Sequence, residues 1–127
     1  MNPNYQASTT PAVLSAGTLT GDPVVNDAGE NLGKLEEIMI DLDSGRVAYV
    51  VISFGGVLGV GNKLFAIPWQ ALRVDTENKE IVLNVSKETL EQAPGFDKDH
   101  WPETSDQTWL GDVYRYYGYE PYWKQFL

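Results

Sequence analysis

The sequence predicts a mainly-β fold: a small closed barrel of about six strands with a short helix and an aromatic, partly helical C-terminal extension. Apolar runs rich in β-branched residues recur through residues 17–85, each closed by turn formers. The connections between them are short, which favours a closed barrel over an open sandwich. The composition then changes, with ten of the fifteen aromatic residues lying within residues 96–126.

Residues 1–16 are rich in Asn, Pro, Ser, Thr and Ala and bury too little apolar surface to offset their ordering entropy, so a disordered arm is expected. Residues 17–92 form the barrel and 93–127 the extension, packed on the barrel or on a partner. Val24 and Val25 make a short apolar pair after Gly21-Asp22-Pro23, and residues 26–31 are dense in turn formers. The next strand spans about 32–41. Lys34 and Glu36 share one face with Leu32, Ile38 and Ile40, while Leu35 and Met39 take the other, an imperfect alternation that suggests a barrel rim or a bulge. Asp43-Ser44-Gly45 closes a hairpin into a strand over 46–54. That strand is apolar on both faces and so should be central and covered on both sides, by the tail or by another protomer. A strand over 63–68 stops at Pro68, a short turn follows at Trp69-Gln70-Ala71, and a last hairpin pairs 72–76 with 80–85.

Ser86 caps a short helix over 87–92, which Pro94-Gly95 ends. Asp106 or Ser105 caps a second helix carrying Trp109, Leu110, Val113, Tyr116 and Tyr117. Of these, Trp109, Val113, Tyr116 and Tyr117 fall on one stripe, and Gly118 is the stop.

The net charge of −9, from 18 acidic and 9 basic side chains, repels nucleic-acid phosphates and anionic lipid unless a local basic patch overrides it. The nine Lys and Arg are scattered singly along the chain, so direct nucleic-acid binding is disfavoured. The absence of cysteine excludes disulfides, thiol nucleophiles and thiolate metal sites. No apolar run approaches the roughly 20 residues of a membrane span, and residues 1–16 read as neither secretory signal nor basic transit peptide. No membrane insertion and a cytoplasmic location are expected.

Motifs with chemical meaning fail on spacing. Gly56 and Gly61 are separated as in a phosphate loop, but Asn62 stands where its lysine belongs and Leu64 where a hydroxyl is needed. A calcium loop counted from Asp41 would need glycine at Arg46 and glutamate at Ile52. His100, the only histidine, sits among Asp97, Asp99 and Glu103, where a surface residue is the simpler reading than a metal ligand. Glu36 and Glu37, adjacent on a strand, point to opposite faces and make no catalytic pair. No catalytic residue, metal or cofactor is expected.

Several segments together are similar to one family: Leu32-Gly33-Lys34-Leu35-Glu36-Glu37-Ile38-Met39-Ile40-Asp41, Gly45-Arg46-Val47-Ala48-Tyr49-Val50-Val51, Phe54-Gly55-Gly56-Val57-Leu58-Gly59-Val60-Gly61-Asn62-Lys63 and Ile67-Pro68-Trp69 resemble the PRC-barrel domain. That β-barrel is named for the H subunit of the photosynthetic reaction centre. It also ends a bacterial ribosome-maturation factor and occurs in stand-alone bacterial proteins, whose tails resemble residues 97–102 and 116–119. In the two larger relatives the barrel docks onto other macromolecules and does no chemistry. The resemblance therefore implies a non-catalytic interaction or assembly module with protein partners, a homodimer among the arrangements. The alternatives are a ribosome-assembly adaptor, or a small-ligand binder or enzyme built on carboxylates and tail aromatics. The candidate interaction residues are Gly55, Gly56, Leu58, Gly59, Lys63 and Trp69, with Tyr119, Tyr122 and Trp123 in the tail, where interface anchoring and internal packing are equally open.

Overall fold

The structure is a computed structural model and describes residues 13–55, 62–103 and 106–124. Six strands form one sheet: β1 (Pro23–Val25), β2 (Asn31–Ile40), β3 (Val47–Gly55), β4 (Asn62–Ile67), β5 (Leu72–Asp75) and β6 (Glu80–Leu83), in the order β4-β3-β2-β1-β6-β5. Every ladder is antiparallel except β1–β6, which is parallel. Each predicted strand is present.

The connection from β4 to β5 forces the sheet to curl. The two strands are its opposite edges, which in a flat sheet would lie about 24 Å apart, five spacings of about 4.8 Å. Only Pro68 and a 3-10 turn, Trp69–Ala71, join Ile67 to Leu72. Stretched out, those residues reach about 17 Å, and the turn shortens them. The result is a curled half-barrel. Complete closure is not part of it: among the described residues no ladder joins β4 to β5. The far edge of β4 is instead met by Phe96, which exchanges both backbone hydrogen bonds with Leu64 at 2.9 and 2.8 Å. Gly95 permits that approach, because a Cβ there would lie 2.7 Å from the Leu64 carbonyl oxygen.

Bulges redirect β2. Its register shifts against β1 at Leu32 and against β3 at Glu36. Leu32 and Leu35, assigned above to opposite faces by simple alternation, are both fully buried in the same core. An extra residue inverts the sides of everything beyond it. Gly33, between the two leucines, has φ +109°.

The concave side holds the main core: Leu32, Leu35, Val50, Ile52, Phe65, Ile67, Ile81 and Leu83, closed by Leu19 and Leu90 from two short helices. These are α1 (Ala16–Leu19), capped by Ser15, and α2 (Lys87–Glu91), capped by Ser86. α1 begins inside the segment expected to be a disordered arm. Asn26, 6% exposed, ties the β1–β2 turn to the end of β6. Its amide nitrogen donates to Glu30 and to the Val85 carbonyl at 2.8 and 3.0 Å, while its oxygen accepts from the Ala28 and Glu30 amides. A buried amide with its capacity filled in this way fixes one arrangement of the strands it joins.

The convex side of β3 and β4 carries a second core. Ala48 and Ala66 meet Leu110, Val113 and Tyr114 of α3 (Gln107–Tyr116) and Tyr122 of the tail, flanked by Tyr49, Phe96, Trp109 and Trp123. The expected outer cover of β3 is therefore the chain's own tail. Asp106 caps α3, accepting from Trp109 N at 2.9 Å. The buried stripe of α3 is rotated from the predicted one: Leu110, Val113 and Tyr114 are buried with Tyr117 half-buried, whereas Tyr116 is 39% exposed.

Candidate interaction surface

β3 runs the length of the sheet and separates two regions. At its first end, the β2–β3 hairpin holds the tail. The Asp41 carboxylate accepts from the Asp43 and Ser44 amides at 2.9 and 3.2 Å, and the Gly45 amide closes back on the Asp41 carbonyl at 2.7 Å. Gly45 supplies the φ of +74° that this turn requires. The turn accounts for the acidic residues that also resemble the opening of a calcium loop. It also aims Asp41 at the tail: the Tyr122 hydroxyl donates to its carboxylate. Arg46 Nη1 donates to the Tyr122 carbonyl at 2.9 Å, and its guanidinium lies 5.1 Å from the Tyr122 ring centre. Burial, then the neighbouring carboxylate, pushes the Tyr122 hydroxyl up to about 12, and the same hydrogen bond holds Asp41 below the usual carboxylate value.

The tail aromatics are thus mostly internal. Tyr122 is 6% exposed, Trp123 is half-buried with its ring 5.1 Å from that of Tyr122, and Trp109 meets Tyr49 edge-on at 5.6 Å. Of the tail candidates, Tyr119 is the exposed one, at 36%; Trp101 and Tyr116 are exposed as well, at 40% and 39%. His100 is a surface residue facing Asp97 at 3.8 Å.

At its other end, β3 opens onto a groove of about 980 Å³. Phe54, Phe65 and Pro23 line it together with Gly33, Ser53 and Gly55. Lys34 from β2, Lys63 from β4 and Lys87 from α2 stand around it with Glu91. The Ser53 hydroxyl, almost fully buried, donates to Glu36 at 2.7 Å, and Glu36 lies 3.8 Å from Lys34. The Phe54 and Phe65 rings are 6.5 Å apart, and Lys87 and Lys63 each place an ammonium 5.7 Å from one of their centres.

The candidate residues therefore divide. Gly55 and Lys63 line the groove. Trp69 packs on the main core beyond the opposite end of β4. Tyr122 and Trp123 belong to the second core, and Tyr119 lies on the surface beside it. Gly56, Leu58 and Gly59 lie outside the described residues. Lys34 and Lys87 have no linear signature: the three lysines are more than twenty residues apart in sequence, and only the strand order brings them together. Among the described residues, no three His, Asp or Glu side chains gather in a way that could hold a metal ion, and no helix is long and apolar enough to cross a membrane.

Comparison with curated proteins finds no match to the chain. A family model for the PRC-barrel domain matches residues 12–90, from the segment before α1 into α2, and so takes in all six strands and the three groove lysines. That match covers more than half of the sequence, and the chain belongs to the PRC-barrel domain family.

Proposed function

We propose that this protein is a non-catalytic interaction module that docks a protein partner through the groove end of its half-barrel, with the C-terminal extension serving as structural cover. The observation that carries this reading is the division of labour along β3. At one end, Tyr122 and Trp123, two of the three aromatic candidates in the tail, are already engaged by the chain itself. The groove at the other end presents cations and aromatic surface on the rigid ends of β2, β3 and β4. Placement on strand ends favours specific recognition, because little ordering entropy is lost on docking. Family membership supports the reading, since the better-known PRC barrels attach to larger assemblies.

The test is affinity capture from the native cell with three chains: the intact protein, a Lys34→Gln/Lys63→Gln/Lys87→Gln variant and a Tyr122→Ala/Trp123→Ala variant, each first shown to fold. A discrete partner retained by the intact chain and lost by the lysine variant is the expected result. Loss only with the folded tail variant would move the docking surface to the extension.

A further inference from the structure

We infer that the groove binds an extended acidic segment of a partner protein, one that alternates carboxylate and apolar side chains; this rests on the docking reading above and names the chemistry of its partner. Two ammonium groups, those of Lys63 and Lys87, are held over one aromatic pair, Phe65 and Phe54. Neither has a carboxylate partner among the described residues. The third, Lys34, shares its charge with Glu36 at an exposed 3.8 Å contact of the kind that contributes little. Glu91 is the other carboxylate at the groove.

Three of the nine basic side chains thus surround one groove in a chain of net charge −9. The contrast selects the ligand. A long polyanion such as nucleic acid would meet the repulsion of the whole molecule beyond the groove. A small anion would meet exposed, screened cations and leave the Phe54 and Phe65 surface unused, which yields little affinity. A short segment of alternating character can reach cations on β2, β4 and α2 together while laying apolar side chains on Phe54 and Phe65, so its contacts reinforce one another.

The experiment is a titration of the full-length, isotopically labelled chain with a capped synthetic peptide alternating glutamate with leucine and phenylalanine, followed by backbone amide shifts. Saturable shifts confined to the surroundings of Gly33, Lys34, Phe54, Lys63 and Lys87 are expected. Binding should weaken by at least about tenfold in the triple lysine-to-glutamine variant, and again as salt rises through the range where the screening length falls below about 10 Å. A peptide with glutamine for every glutamate should bind at least about tenfold more weakly. Any of three results would overturn the inference: no saturable shift, equal binding of the glutamine peptide, or shifts centred on the tail. If a partner is still captured through the lysines while the peptide fails, the acidic-segment inference falls and the docking reading stands. Tighter binding of inorganic phosphate than of the peptide would also overturn it, in favour of a simple anion site.

Discussion

The Tyr114 hydroxyl donates to the Ala48 carbonyl at 2.6 Å across the seam between α3 and β3, and both residues are buried. Ala48 is the extra residue of a bulge: Tyr49 pairs with Met39 and Val47 with Ile40, leaving Ala48 without a register partner on β2. A bulged carbonyl inside a core needs an acceptor role elsewhere, and the helix supplies the donor. Tyr114→Phe keeps the packing and strands that carbonyl. It should cost about 1–3 kcal/mol, seen as a lower urea midpoint with an unchanged slope. An unchanged midpoint would mean that the bond contributes nothing.

Tyr117, the C-cap of the same helix, makes the opposite case. Its hydroxyl is buried and finds no hydrogen-bond partner among the described residues, and burial raises its pKa as it does that of Tyr114. Tyr117→Phe removes a desolvated group that receives nothing in return. The midpoint should stay level or rise, by up to about 1–2 kcal/mol in stability. A loss matching that of Tyr114→Phe would show that Tyr117 is bonded after all.

Gly33 is fixed by close approach as well as by conformation. At φ +109°, a Cβ would stand 1.9 Å from the Ser53 carbonyl oxygen and 2.9 Å from its carbon. Neither backbone can yield without breaking the β2–β3 ladder beside the groove. Gly33→Ala should therefore lose at least about 2–3 kcal/mol, measured by the same unfolding titration, and near-wild-type stability would contradict that account.

The tail contact should weaken at both extremes of pH. Tyr122 has its pKa raised from 10.0 to about 12, so its contribution is whole below pH 10 and is lost as pH climbs through about 12. Asp41 is shifted downward from 3.8, so its contribution is whole above that value and fades as pH falls through its lower folded pKa. Carbon-detected NMR of the Asp41 carboxyl should give a midpoint below 3.8 that moves upward in Tyr122→Phe. A midpoint indifferent to that substitution would separate the two groups.

Much of the architecture was legible because local chemistry set it. Asp43-Ser44-Gly45 made its hairpin, Pro68 ended β4, and Ser86 and Asp106 capped their helices. The side assignment of Leu32 failed because bulges are set by pairing between strands, which periodicity along one strand does not record. Tyr114 lies off the stripe that the sequence predicts, although it is the largest fully buried side chain among the described residues. Counting from Trp109 placed the face one position off, and the Ala48 carbonyl that draws Tyr114 inward is 66 residues away. The groove lysines were hidden for the same reason: their proximity is a property of the strand order and not of any segment.

The central claim is that partners meet the groove and not the tail. It is tested most directly by placing a photoreactive side chain at Glu91, on the groove, in one chain and at Tyr119 in another, both exposed positions, and irradiating each in its native cell. The account predicts a discrete covalent adduct with a protein partner from position 91 and none from position 119. An adduct formed from position 119 alone would contradict it and make the extension the docking surface.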